Sequence, residues 1–244
     1  MVSQEADTGL SDTNRETFVR ELQELKEYGS SLLVVGDVPD AAAVKACHWM
    51  LGDETVQDRR RLFVSTSPDL PDISERLSTS PDRLHPETTK LVTWTAKSRS
   101  ATTASPVRPP QLPYEGVDPS HVESDKLAEL GIAISREIEA FEEIAGELSP
   151  SELRVCFDSL TALSAEYDQQ KVLQFLHILI GRIQSVRGMA HFHFPVEYDS
   201  KHVKQFAPLF DATVELQIAD GQPEQRWHLR EADITSGWLT PPGS

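Results

Sequence analysis

The chain has 244 residues, 39% of them hydrophobic and 25% charged, enough to bury a sizeable core as one α/β domain or two small ones. Lys+Arg 23 against Asp+Glu 39 leaves a formal net charge of -16, a field that repels nucleic-acid backbones and anionic membranes and so argues against both as partners. No stretch approaches the roughly 20 apolar residues of a membrane span, and the polar, acidic start MVSQEADTGLSDTNRE is no export signal, so the expected compartment is the cytoplasm.

Residues 1–14 read as a disordered N-terminus. Glu16 to Tyr28 carries Phe18, Leu22 and Leu25 at helical spacing, with Gly29 as its stop. The apolar strand Leu32 to Val35 follows. Asp37 to Asp40 turn the chain into a helix that starts at Pro39 or Asp40 and runs to Leu51. The triplet Arg59, Arg60 and Arg61 reads as a solvated turn before a second strand, Arg61 to Thr66. A third strand spans Lys90 to Thr95. Residues 98–122 hold Pro106, Pro109, Pro110, Pro113 and Pro119 among Ser and Thr, the composition of a surface excursion rather than a core element.

The second half is more regular. Ser124 to Gly146 places Leu127, Leu130, Ile134, Ile138, Phe141 and Ile144 on one helical face. Leu153 to Asp158 is a short apolar strand, and Asp168 to Val186 is a helix stopped near Gly188. Met189 to Pro195, Thr213 to Ile218 and Gln225 to Arg230 read as three further strands. Strands separated by helices of this length predict βαβ crossovers and a mainly parallel sheet.

The richest chemistry lies at strand ends. Against the phosphate-loop template G-x-x-x-x-G-K-[ST], Gly36 matches the first position, but Ala41, Ala42 and Ala43 stand where the second Gly, the Lys and the Ser/Thr belong. Such a loop works because backbone N–H groups and an ammonium surround the anion while a hydroxyl reaches Mg²⁺. Asp37 and Asp40 put negative charge there instead, and Lys45, three residues late, points elsewhere on the helix as a solvated surface residue.

Other groups are weaker signals. His191 and His193 alternate along a strand and share a face, opposite Phe192 and Phe194. With Asp158 they are the candidate donors for a divalent ion, although packed, hydrogen-bonded histidines are the commoner use of such a pair. Cys47 and Cys156 are read as buried free thiols, in no metal-binding spacing. Cys47 and His48 diverge by about 100° around their helix and make no dyad. Trp227 and Trp238 are read as packing anchors.

From Glu16 to Leu239 the order of elements resembles the KaiC-type RecA-like ATPases, especially divergent haloarchaeal relatives. The resemblance is carried by LRVCFDSLTALSAEYDQQKVLQFLHILIGRIQSVRGMAHFHF, FAPLFDATVELQI, RWHLREADITSGWL and the helix KLAELGIAISREIEAF. It implies a three-layer RecA-like domain over residues 15–244, mainly parallel, with helices on both faces and an antiparallel extension near the C-terminus. It also implies that Asp158, followed by Ser159 and Leu160, stands where the family helps hold Mg²⁺. A salt-loving source agrees with eight Lys against fifteen Arg and an acidic surface, whose self-repulsion is screened over about 3 Å at 1 M salt. The family's paired glutamates after the second strand are replaced by Ser65, Thr66 and Ser67, which are poor general bases.

These residues predict no catalytic machinery and no obligatory cofactor. The expected function is that of a pseudo-ATPase, a regulatory or assembly protein acting through a protein partner or self-association. The alternative is a nucleotide-binding switch or slow ATPase, in which Gly36, Asp158 and Ser159 hold ATP and Mg²⁺.

Overall fold

Short apolar runs bounded by turn residues build the central strands, which are buried along nearly their whole length. In the computed structural model, which describes residues 12–52, 58–66, 76–77, 85–96 and 117–240, the order is α1 (Asp12–Tyr28), β1 (Ser30–Val35), α2 (Asp40–Leu51), β2 (Arg60–Ser65), β3 (Thr89–Thr95) and β4 (Ser120–Glu123). Then come α3 (Leu127–Ala145), β5 (Leu153–Asp158), α4 (Leu160–Glu166), α5 (Gln169–Ser185), β6 (Met189–Phe194), α6 (Lys201–Phe206), β7 (Ala212–Ala219), β8 (Gln222–Leu229) and β9 (Ile234–Thr235). Among the described residues the strands form one nine-stranded sheet ordered β4-β3-β2-β5-β6-β1-β7-β8-β9. All pairings from β4 to β7 are parallel, and β7-β8 and β8-β9 are antiparallel. The mixed α/β class, the mainly parallel sheet and the C-terminal antiparallel strands agree with the sequence expectation.

Alternation along the strands divides the core in two. Leu33, Val35, Val155, Phe157, Phe192 and Phe194 pack with Leu130, Ile134, Ile138 and Phe141 of α3 and Val172, Leu176, Leu179 and Ile183 of α5. Phe157 stacks on Phe192 with ring centroids 5.4 Å apart. On the other face, Leu32 and Val34 meet Phe18 of α1, Ala46 and Met50 of α2, and Trp227. Beside them Cys47 and Leu51 of α2 pack with Phe63, Leu91 and Cys156. Trp227 also meets Trp49 edge-on at 5.7 Å, an anchoring role, while Trp238 lies under the Arg226 guanidinium at 4.5 Å.

Several local expectations are corrected. Helix α1 begins at Asp12, before the boundary expected at residue 14, and residues 1–11 lie outside the described residues. Of the supposed excursion 98–122, residues 98–116 also lie outside them, but Val117 is buried and Ser120–Glu123 is a strand on β3. The reason is a partner: β4 alternates half-buried and exposed residues, and Ser120 donates to Glu137 at 2.5 Å. The arginine triplet is no solvated turn. Arg60 pairs with Glu152 at 2.8 Å, Arg61 is 8% exposed and donates to the Gly52 carbonyl at 2.9 Å, and Arg59 donates to the Ser151 carbonyl at 2.5 Å. Gly52 ends α2, whose last carbonyls attract cations. Arg154 donates to the Met50 carbonyl at 3.2 Å, and burial together with Arg59 and Arg61 pushes its pKa down to about 9. Among the described residues no helix is long and apolar enough to cross a membrane.

Candidate functional site

Strand β1 lies between β6 and β7, so the chain leaves β1 toward β2 on one side and crosses from β6 to β7 on the other. A crevice opens at the C-terminal ends of strands wherever the order reverses in this way. Here it is a cavity of about 150 Å³ between Gly36, Asp40, Ala43, Arg76, Asp158, Ser159, His193 and Pro195. Asp40 lines it and is exposed, Asp37 is exposed directly after Gly36, and Lys45 is exposed on α2.

Gly36 is required by close approach. Its φ is +128°, and a Cβ there would lie 2.4 Å from the carbonyl oxygen of Leu216 in β7. Its N–H donates to the Val196 carbonyl at 2.9 Å, which joins the ends of β1 and β6.

Asp158 is already paired. Arg76 is 6% exposed, and its Nε donates to Asp158 Oδ2 at 2.8 Å. Its Nη1 donates to the Ala43 carbonyl at 3.4 Å and lies 3.4 Å from His193 Nε2. Burial works against this guanidinium's charge, but Cys156, Cys47 and Asp158 outweigh it and hold the Arg76 pKa above its ordinary value. An internal cation therefore sits on the carboxylate that the resemblance assigns to Mg²⁺.

Ser159 and the end of β2 are likewise occupied. The Thr66 N–H donates to the Asp158 carbonyl at 2.8 Å; Thr66 Oγ1 donates to the Ser159 carbonyl at 2.6 Å and accepts from the Ser159 N–H at 3.1 Å. Ser159 Oγ accepts from the Thr161 N–H at 3.3 Å and so caps α4. Ser65 and Thr66 are buried, and Ser67 lies outside the described residues.

Directly beneath Arg76, α2 crosses the sheet over β5 and β6. The register sets Cys156 beside His191 and Asp158 beside His193, with all four side chains on the α2 face. Helix α2 buries Cys47 toward them. The sulfur atoms of Cys47 and Cys156 are 3.1 Å apart, His191 Nε2 is 3.2 Å from Cys47 Sγ, and the two imidazole centroids are 5.3 Å apart. Burial pushes the Cys47 thiol up, but Cys156 and His191, then His193, stabilise its thiolate and hold it well below the ordinary value. Burial and the neighbouring Cys47 push the Cys156 thiol well up. Burial and the charge of Arg76 lower the His193 pKa, which keeps that ring neutral.

The structure thus joins His191 and His193 to two cysteines, while Asp158 goes to Arg76. The cysteines are buried and free, as read from the sequence. Their partnership had one faint signal: Cys156 shares parity with Asp158 on its strand, and Cys47 lies four residues after Ala43 on α2. Arg76 had none: it lies between β2 and β3 in no recognisable motif.

The chain belongs to a family of unknown function, DUF7504, whose model matches residues 29–216. That span contains every residue of the crevice and of the cluster beneath it. Comparison with curated proteins gives no match.

Proposed function

We propose that the protein is a RecA/KaiC-like pseudo-ATPase, a domain of ATPase architecture that has lost catalysis and acts as a regulatory or assembly protein through contacts with other protein surfaces. The observation that carries this reading is the Arg76–Asp158 pair at 2.8 Å, in a crevice whose loop has Ala41, Ala42 and Ala43 in place of phosphate-binding groups. A magnesium ion would have to displace a buried guanidinium from its carboxylate, and a triphosphate would meet no ammonium. The order of β7, β1, β6, β5 and β2, with β1 between β6 and β7, supports the RecA-like ancestry. The alternative, a nucleotide switch, is disfavoured by size: about 150 Å³ is well under the roughly 300–1,000 Å³ of small-molecule sites.

A surface for contacts lies on the opposite face of the sheet. An apolar groove of about 830 Å³ runs between α3 and α5, past Gly131, Phe175 and Leu179. Ile132 and Ile178 flank it at 51% and 64% exposure, a cost in water that a covering protein would relieve. Phosphate release from Mg·ATP in molar salt tests the loss of catalysis. The expected rate equals that of buffer alone; a protein-dependent rate abolished by Asp158→Asn would overturn the proposal.

A further inference from the structure

We propose that Cys47, Cys156, His191 and His193 are the four ligands of a structural zinc ion that fastens α2 to β5 and β6. The proposal is independent of how the crevice above is read, because none of these ligands is needed for nucleotide.

The four donor atoms all lie within 4.8 Å of one another. Zinc bonds of about 2.3 Å to sulfur and 2.0–2.1 Å to nitrogen give a tetrahedron with edges of about 3.3–3.8 Å. The observed separations of 3.1 Å between the sulfur atoms and 3.2 Å from His191 Nε2 to Cys47 Sγ reach those edges by moving each side chain a few tenths of an ångström. The sulfur atoms also stand well beyond the roughly 2.05 Å of a disulfide.

Donor chemistry selects the ion. Two thiolates with two imidazoles in a tetrahedral set suit zinc, whereas magnesium and calcium demand oxygen donors. The ligands are 0%, 1%, 2% and 4% exposed for Cys47, Cys156, His191 and His193, so no position is open to water or substrate and the site is of the closed, structural kind.

Charge selects it too. Two thiolates neutralise the ion, and Arg76 with Asp158 closes as a second neutral pair beside it, so no net charge is buried. On binding, thiol protons still present pass to solvent as the Zn–S bonds form, and no electron is transferred.

Zinc would then do for α2 what a bound phosphate does in an active loop: hold the helix on the sheet.

The test uses the full chain, reduced and in molar salt, with zinc and then cobalt(II) as probes. The expected result is one ion per chain, the visible bands and thiolate charge transfer of tetrahedral cobalt, and a zinc-dependent rise in melting temperature. Cys47→Ser and His193→Ala should each weaken binding by at least about 100-fold, more than changes outside the ligand set. Should those variants not fold, the wild type decides: zinc, but not magnesium, should protect both thiols from alkylation. A folded, reduced wild type that takes up neither ion would overturn the proposal. So would unchanged affinity in Cys47→Ser, or a chain whose native form carries the Cys47–Cys156 disulfide and binds no metal.

Discussion

Replacing Asp158 by Ala is expected to destabilise the protein by about 3 kcal/mol, a loss of roughly 6–12 °C in melting temperature for a domain of this size. The side chains of Arg76 and Asp158 are 7% and 14% exposed, and removing the carboxylate strands a guanidinium that burial already penalises. The remaining attraction to the cysteine sulfur atoms keeps the cost at the low end of the range for broken buried pairs. Removing both charges together, as Arg76→Leu with Asp158→Leu, should recover most of the loss, since an apolar pair of similar volume leaves nothing uncompensated. Thermal unfolding of the two variants checks this. A cost below about 0.5 kcal/mol for Asp158→Ala, the range of unremarkable surface changes, would mean that the carboxylate is not committed to Arg76.

Gly36→Ala is the second large effect, expected to cost about 3 kcal/mol or more. Two terms add. A side chain at φ +128° is strained, and its Cβ would stand 2.4 Å from the Leu216 carbonyl oxygen, which belongs to the strand paired with β1. Neither the backbone of β7 nor that of β1 can yield without opening their parallel ladder. Gly221→Ala is the control: its φ is +77°, in the two-residue turn that joins β7 to β8, yet an added Cβ would meet nothing within 4 Å, so it should cost only the backbone strain, about 1 kcal/mol. Equal losses in denaturant unfolding would contradict the close approach and return Gly36 to a ligand-binding explanation.

Much of the fold was legible because it depends on local pattern. The apolar runs Leu32 to Val35 and Leu153 to Asp158, and the helical spacing from Leu127 to Ile144, announce their elements without knowledge of neighbours. Edge strand β4 was not legible: SHVE has no apolar run, and only its pairing with Val92 to Thr95 makes it a strand. Helices α4 and α6 are one or two turns long, held by the serine caps Ser159 and Ser200, too short for periodicity to speak.

The site divides in the same way. Alternation placed His191 and His193 on one face, and the strand end pointed to Asp158. Cys47 and Cys156 are 109 positions apart, and only the passage of α2 over β5 brings them together. Arg76 enters the crevice from a stretch whose Pro and Ser residues carry no period, so its pairing with Asp158 is a purely tertiary fact.

Calorimetric titration of the wild-type chain with ATP and Mg²⁺ in molar salt tests most directly whether Arg76 has replaced the metal in the crevice. The account predicts no binding heat up to about 1 mM nucleotide, which bounds any affinity as weaker than about -4 kcal/mol. A saturating isotherm with a micromolar Kd that requires Mg²⁺ and disappears in Asp158→Asn would contradict it.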